Sequence, residues 1–296
     1  MRPRAQTRSV LLTVGPAIGW IGLFLVIPGV VLLLYSFLSI DDIGRVVPPL
    51  TLENYGRLIA WGPLGINFVY WEILGRSLWV ALVTTVLCVL LAFPVAFFIA
   101  AQRPSARPLW LTLLVIPFWT NLVIRAYAWM FLLAPSSPIT QAAAALGLVE
   151  RGAALYPSDF AVYIGMVSTF LPFMALPLYT AVERIDWSLA EAAADLYAGR
   201  WQAFWAAVFP QTVPGLVAGV ILVTIPATGM FVVSDLLGGG KTMLLGNVIQ
   251  QEFGTSNDYP FGAALSFLVM GLTLLGLGLY ARIAGRRALS GVGDLL

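Results

Sequence analysis

The sequence contains no histidine and a single cysteine, Cys88, among its 296 residues. Without histidine, a Ser-His-Asp triad and a histidine general base are excluded, and most zinc sites lose their usual ligand. One cysteine cannot form an internal disulfide, so Cys88 is interpreted as a small buried hydrophobe. Charge is scarce as well, at 10% of residues, whereas a soluble domain has about 25%. These shortages argue against hydrolytic and metal chemistry and indicate a chain built for lipid.

Long apolar runs take the place of the missing charge, and hydrophobic residues make up 60% of the chain. We predict an all-α integral membrane protein with six transmembrane helices, each near the ~20 residues that a spanning helix needs. The predicted spans are residues 10–40, 76–101, 108–134, 160–182, 211–234 and 261–283. Together they form a single membrane domain over residues 1–296. The first run is too long for a signal-peptide core, so we expect a retained helix there.

The distribution of charge orients the predicted helices. With the N-terminus placed inside, ten cationic residues fall in inner segments and five in outer segments. The acidic residues have the opposite distribution, with nine in outer segments and five in inner segments. We therefore expect both termini, and the loop at residues 183–210, to be cytoplasmic.

A polar, alanine-rich segment lies between the fourth and fifth predicted spans. Residues 188–201 have high helix propensity, with Asp186 or Ser188 as the expected N-cap. Glu191 and Asp195 are one turn apart on the same face, and small alanines flank Glu191. Small residues beside a carboxylate allow a partner's groove to approach, and the acid can pair with a basic residue there. The segment is either a docking element for another protein or an ordinary solvated loop.

Polar and aromatic residues also occur near the outer ends of the predicted spans. Thr224, Thr228, Phe231 and Asp235 follow at i, i+4, i+7 and i+11, which predicts one stripe of the fifth helix. A carboxylate beside aromatic faces suits an organic cation, while an aromatic stripe also serves simple packing. The candidate substrate-path residues are Asp235, Phe231, Trp129, Tyr163, Thr228, Glu252 and Asp258.

Arg125 places a charge inside the third predicted span, on the same helical face as Asn121 and Trp129. A charge within a span is expensive and usually faces the interior of the bundle. Arg125 either lines a path or is a structural charge that pairs with an outer acid such as Asp235. An unpaired Arg125 in the path would repel a cation and favour an anionic or zwitterionic solute.

The segment Gly238-Gly239-Gly240-Lys241-Thr242 is similar to the end of a phosphate-binding loop. However, Asp235 stands where the full pattern requires its first glycine, and a strand should precede the loop. We interpret the segment as a flexible outer loop. We expect this chain to bind no cofactor, to hold no metal and not to hydrolyse ATP itself.

The alanine-rich segment resembles the signature of the permease subunits of bacterial ABC importers. Glu191-Ala192-Ala193 and Pro210 match that signature, whereas Tyr197 replaces the usual glycine. The glycine permits a turn with positive φ, and we expect Gly199 to take over this role. In the family the segment is the coupling helix, which docks on the ATPase. The resemblance therefore implies a docking set of Glu191, Ala192, Ala193, Asp195 and Gly199.

Longer blocks, from the third span onward, are similar to the spermidine/putrescine permease, B-type subunit. They are Ile116–Asn121 with Ile124–Trp129, Leu171–Tyr179, Ser234–Gly239 and Gly246–Ala264. The resemblance implies a type I ABC importer permease fold in the bacterial inner membrane and a polyamine as cargo. It also implies a second homologous permease, a homodimeric ATPase that holds ATP and Mg, and a periplasmic or lipid-anchored binding protein. Another small organic solute, whether opine, amino-acid-like or anionic, is the alternative cargo.

Two other classes fit the sequence less well. A self-sufficient secondary carrier would need an ionisable relay at mid-membrane and often inverted repeats, and the sequence shows neither. A membrane enzyme would need a recognisable nucleophile arrangement or a metal cluster. The prediction is therefore a permease and not an enzyme.

Overall fold

The structure is a computed structural model that describes residues 14–41, 44–58, 61–62, 65–66, 68–150 and 152–293. The helices are α1 Val14–Tyr35, α2 Glu53–Leu58, α3 Val69–Ala100, α4 Arg107–Trp119, α5 Leu122–Leu132, α6 Pro138–Ala145, α7 Asp159–Glu183, α8 Ser188–Asp195, α9 Arg200–Thr228, α10 Val232–Gly238, α11 Leu245–Gly254 and α12 Tyr259–Gly293. Two short antiparallel hairpins pair β1 Ser39–Ile40 with β2 Val46–Val47, and β3 Trp61–Gly62 with β4 Gly65–Ile66. Both α1 and α9 contain a π-helical turn, Gly22–Val26 and Phe204–Val208 respectively.

Five helices in the described residues are long and apolar enough to cross a membrane, namely α1, α3, α7, α9 and α12. A sixth span results if α4 and α5 are counted together, although these two helices meet at an angle of 92°. The predicted count of six agrees with this arrangement, but the third span is broken rather than continuous. The fifth span runs over Arg200–Thr228 instead of 211–234. Residues 10–13 of the first predicted span lie outside the described residues.

The described residues from Trp71 to Asn247 form one compact unit around α7. The helix α9 packs along α7 at two glycines. A Cβ at Gly215 would lie 2.5 Å from the Pro177 carbonyl oxygen, and one at Gly219 would lie 2.5 Å from Met174 Sδ. Small residues therefore set the distance between the two backbones, as is common between helices in membranes. Cys88 of α3 is fully buried in the same core, as predicted.

The described residues up to Tyr70, together with those from Val248 onward, form a second compact unit. Asn54 of α2 is buried and its amide donates to the carbonyls of Ser36, at 3.1 Å, and Leu38, at 2.7 Å. These bonds satisfy backbone groups just beyond the end of α1. No residue of α1 from Gly22 to Tyr35 is buried within the chain, so the other described elements leave its apolar surface exposed.

Candidate functional site

The alanine-rich segment folds as α8, a short helix whose acids face solvent. Glu191 and Asp195 are both exposed. The helix begins after Trp187, which makes no side-chain cap, so neither predicted residue occupies the N-cap. Instead, the Asp186 carboxylate accepts the Ser188 N–H at 3.0 Å. Hydrogen bonds from Ser188, first from its hydroxyl and then from its N–H, lower the pKa of Asp186.

The helix α8 ends earlier than predicted, in a Schellman motif centred on Tyr197. The Ala198 N–H donates to the Ala193 carbonyl at 3.0 Å, and the Tyr197 N–H donates to the Ala194 carbonyl at 2.9 Å, which is the bond pair of this motif. Tyr197 has a φ of 61°, a region that costs a non-glycine residue about 1–2 kcal/mol. The prediction that Gly199 would supply this turn is wrong, because Gly199 is extended, with φ −63° and ψ 157°.

Contacts on either side of α8 join its flanking residues to the long helices. Gln211 of α9 accepts the Asp186 N–H at 2.9 Å and donates to the Asp186 carbonyl at 3.3 Å. The Phe204 ring, in the π turn of α9, has its centroid 6.2 Å from that of Phe93 and 6.4 Å from that of Phe97 on α3. Each such aromatic pair contributes about 0.5–1.5 kcal/mol beyond its buried area. Because α8 also packs on this π turn, contacts connect α8 to α9 and, through Phe204, to α3.

Arg107 joins three helix ends beside this element. Its Nη1 pairs with Glu183 Oε1 at 2.8 Å, its Nη2 donates to the Ala100 carbonyl at 2.9 Å, and its Nε donates to the Gln102 carbonyl at 3.1 Å. The end of α3, the start of α4 and the end of α7 are thereby held together. Sequence reasoning counted Arg107 only as an inner charge, since no local pattern signals a partner 76 positions away.

The break between α4 and α5 is built from side chains. Thr120 is extended, with ψ 145°, and the Asn121 side chain caps the start of α5. Arg125 spans the break, because its Nη1 donates to the Pro117 carbonyl at 2.8 Å and its Nη2 donates to Thr169 Oγ1 at 3.3 Å. The Pro117 carbonyl is one of those that the end of α4 leaves free, so Arg125 stabilises the bend.

The alternative in which Arg125 pairs with an outer acid such as Asp235 is wrong. Among the described residues Arg125 pairs with no acid, and its Nε is buried without a hydrogen-bond partner. Carbonyl and hydroxyl oxygens therefore hold a positive charge that no acid of the described chain neutralises. One turn further along α5, Trp129 donates to Ser168 Oγ at 3.0 Å, which places both predicted residues of this face against α7.

The predicted stripe from Thr224 to Asp235 does not lie on one helix. The helix α9 ends at Thr228, the chain turns at Gly229, and α10 begins after Phe231. Glycine is a poor helix former, but the predicted stripe assumed that the fifth helix continues through Gly229. Phe231, at 39% exposure, and Asp235, in the first turn of α10, are nevertheless both accessible.

Tyr163 lies elsewhere, on the wall of a cavity of about 410 Å³. The wall also includes Arg76 and Lys241, and the Arg76 side chain donates to the Lys241 carbonyl at 3.2 Å. Asp159, the acid on this wall, accepts the Thr242 hydroxyl at 2.5 Å. Within the described chain, Tyr163 is thus brought together with two cations, and this setting does not favour a cationic solute.

The glycine-rich segment connects α10 to α11. Gly239 and Gly240 have φ values of 59° and 75°, and the Ser234 hydroxyl donates to the Thr242 carbonyl. A helix, not a strand, precedes these glycines in the described chain, so the segment lacks the context of a phosphate-binding loop.

Glu252 and Asp258 belong to the unit that contains α2 and α12, and the structure brings them together. Asp258 Oδ2 pairs with Arg57 Nη1 at 2.8 Å, and its Oδ1 accepts the Phe261 N–H at 3.0 Å. The Arg57 guanidinium lies 4.0 Å from the centre of the Phe261 ring, a cation–π contact. Burial raises the pKa of Glu252, and the charge of Asp258 adds to the effect. Arg57 was not among the predicted site residues, and its guanidinium already pairs with the Asp258 carboxylate.

Comparison with known proteins agrees with this architecture. Residues 92–288 match the family model described as binding-protein-dependent transport system inner membrane component. The chain is 43% identical over 261 residues to the spermidine/putrescine transport system permease protein PotB of Salmonella typhimurium (strain SL1344), which covers 87% of this chain and 88% of that protein. It is 40% identical over 264 residues to PotB of Haemophilus influenzae, which covers 89% of each.

Solved structures support the fold. A chain of the bacterial alginate ABC transporter, in complex with an alginate pentasaccharide-bound periplasmic protein, superposes with a TM-score of 0.67 over 97% of this chain and 98% of that chain, at 15% identity. The predicted fold class is thereby confirmed. The matched family region includes α8, the α4–α5 break and the α7–α9 contact. The chain therefore belongs to the binding-protein-dependent transport system inner membrane components, the multi-pass permeases of ABC importers.

Proposed function

We propose that this chain forms half of the translocation path of an ATP-driven importer for a small organic cation, most simply a polyamine. The observation that carries this proposal is α8, an exposed helix with two acids that packs on the π turn of α9 and whose flanking residues contact α3 and α9. A bundle that only provides a path does not need such a helix. A permease driven by a separate motor does, because force has to reach its spans.

The mechanism follows from these attachments. Closure of an ATPase pair on ATP would move α8 as a rigid body, since its surface sits in the ATPase groove. The Asp186–Gln211 bonds and the Phe204 contacts would carry that motion into α9 and α3. Arg107 would carry it to α4 and α7. The path would then open alternately outward and inward, a coupling that depends on discrete packed arrangements rather than on gradual bending.

The proposed assembly has four kinds of parts. A second homologous permease would complete the path, and two copies of an ABC ATPase, which hold ATP and Mg, would dock at α8 of each permease. A periplasmic or lipid-anchored binding protein would deliver substrate. The family description, with its dependence on a binding protein, supports that last partner. The excess of inner cations supports a cytoplasmic position for α8 and both termini.

Purification and reconstitution test the proposal directly. An ATPase and a sister permease should co-purify with this chain in mild detergent, and uptake in proteoliposomes should stop when ATP is withheld. A catalytically inactive ATPase variant provides the control for intact assembly without energy. Uptake by this chain alone, in vesicles without companion proteins, would instead identify a self-sufficient carrier.

The polyamine assignment is supported by the similarity to the PotB proteins, at 40–43% identity, and by the exposed Asp235 beside Phe231. A carboxylate and an aromatic face are the two groups that attract an ammonium. The Arg125 charge, which no acid neutralises within the described residues, favours the second candidate, an anionic or zwitterionic solute such as an opine or amino acid. Transport of a cation requires Asp235 to face the solute, whereas transport of an anionic or zwitterionic solute requires Arg125 to face it.

Replacing Asp235 by asparagine should lower the transport of spermidine-like cations by about tenfold or more, because a charge-assisted contact contributes about 1.5–3 kcal/mol. The side chain is exposed, so protein level should stay near that of the wild type. The measurement is the initial rate of uptake, normalised to the amount of membrane-inserted chain. Glu53→Gln is the matched control, since Glu53 is another exposed acid in the first turn of a short helix. Equal rates in Asp235→Asn and wild type would remove Asp235 from the path.

A further inference from the structure

We propose that Tyr197, with its neighbour Leu196, is an apolar anchor that inserts into the ATPase subunit on which α8 docks. The inference rests on the proposed function, and it adds a contact at the position where the resemblance to ABC importer permeases predicts glycine. Tyr197 is 98% exposed and Leu196 is 83% exposed, directly after the last turn of α8. Two adjacent large side chains thus project away from the chain at the end of its docking helix.

The backbone of Tyr197 provides the main argument. Its φ of 61° is one that tyrosine rarely adopts and that glycine adopts freely. A strained residue usually persists because surrounding contacts compensate for it. The two backbone hydrogen bonds of the Schellman motif offset part of this cost, and glycine at this position would make them equally well. The ring itself, at 98% exposure, has almost no contact with the chain that could offset the rest. The compensation is therefore expected in the assembled transporter, where the ring gains contacts that it lacks in this chain.

The occupant of this surface is a protein rather than the lipid surface. Tyrosine also suits the membrane–water interface, but Glu191 and Asp195 are exposed on the same short helix. Two carboxylates would be repelled by the anionic inner leaflet. They are complementary to a basic rim around an apolar pocket, and a tyrosine anchor in such a pocket is a common hot spot of protein interfaces.

The first test measures access to position 197. Cys88 is fully buried, so Tyr197→Cys introduces an accessible thiol into a chain whose native thiol is shielded. With the permease pair in nanodiscs, a polar maleimide should label this variant quickly. Addition of the ATPase should slow labelling by about tenfold or more, because a buried interface position is desolvated. Slow labelling both with and without the ATPase would place the residue in lipid and overturn the proposal, as would fast labelling in both states.

The second test separates the ring from the backbone strain. Tyr197→Phe retains the ring, Tyr197→Ala removes the ring and keeps a Cβ in the strained turn, and Tyr197→Gly removes both. The anchor predicts that affinity for the ATPase is near wild type for phenylalanine and about tenfold or more weaker for alanine and glycine. If the turn alone matters, glycine should dock at least as well as tyrosine, a result that would overturn the anchor.

Two further variants make the outcome specific. Leu148→Ala removes another exposed leucine, at 74% exposure and far from α8 in sequence, and should leave ATPase affinity unchanged. Glu191→Arg should weaken docking by roughly 30-fold or more whether or not Tyr197 is an anchor. Loss of docking in Glu191→Arg with wild-type affinity in Tyr197→Ala would overturn the anchor alone, whereas intact docking in both would overturn the docking function of α8 itself.

Discussion

Replacing Glu191 by arginine should abolish ATP-driven uptake and leave the chain inserted in the membrane. Glu191 is exposed in the first turn of α8, so the change disturbs no buried group. Arginine is a good helix former, and the loss of an acid near a helix N-terminus costs only about 0.3–1 kcal/mol. In the proposed docking interface the same change would replace a charge pair with a repulsion, which costs about 2–5 kcal/mol or more. Docking should therefore weaken by roughly 30-fold to several thousand-fold.

The measurement combines uptake in intact cells with the amount of chain in the membrane fraction. Glu53→Arg is the matched control, because it reverses an exposed first-turn acid on α2, another short helix. Deletion of residues 191–196 should behave like Glu191→Arg. Survival of uptake in either variant, at normal membrane levels, would contradict the docking assignment.

The number of spans and the position of α8 could be predicted because both depend on local composition. Long apolar runs without charge define spanning helices, and an alanine-rich segment between such runs has little alternative to a helix. Cys88 follows the same logic, since a lone small thiol in an apolar run is usually buried. These properties do not depend on which helices pack against each other, so the sequence alone is enough to predict them.

Helix ends were predicted less well, because a periodic pattern does not record where a helix stops. The stripe through Thr228 and Asp235 crossed the turn at Gly229. The third span carried a usable signal, since Pro117 stands near the end of α4 and Asn121 caps α5. The turn after α8 carried a misleading signal: Gly199 was the residue expected to adopt positive φ, but Tyr197 adopts it.

The contacts that couple the helices could not be predicted from the sequence. Arg107 meets Glu183 76 positions later, and Gln211 meets Asp186 25 positions earlier. Both pairs join residues that no helical or strand period brings together. Such contacts depend on which helix ends meet in space, and this is a property of the whole packed unit rather than of any segment.

Substitution of Gly215 should have the largest effect on the free energy of unfolding. Whether the substitution stabilises or destabilises the protein distinguishes the effect of side-chain packing from that of helix propensity. In a helix, alanine is favoured over glycine by about 0.5–1 kcal/mol, so propensity alone predicts that Gly215→Ala stabilises the fold. A Cβ at this position would, however, lie 2.5 Å from both the Pro177 carbonyl oxygen and the Ala181 Cβ on α7. Overpacking of this kind costs about 1–3 kcal/mol or more. We therefore expect Gly215→Ala to destabilise the protein and Gly215→Val to do so by about 3 kcal/mol or more, which corresponds to roughly 6–12 °C in Tm.

Thermal unfolding of the purified chain in detergent measures this effect, and Gly271→Ala provides the control. Gly271 lies in α12 with no atom within 4 Å of its virtual Cβ, so this substitution should be neutral or stabilising. A second-site change locates the clash. Ala181→Gly removes one of the two close contacts but leaves the Pro177 carbonyl in place, so it should rescue Gly215→Ala only in part. Full rescue would show that the side chain of Ala181, and not the α7 backbone, sets the distance. An increase in Tm for Gly215→Ala itself would mean that α7 and α9 do not approach through this glycine, and the proposed coupling of α8 to the spans would then have to run through other contacts.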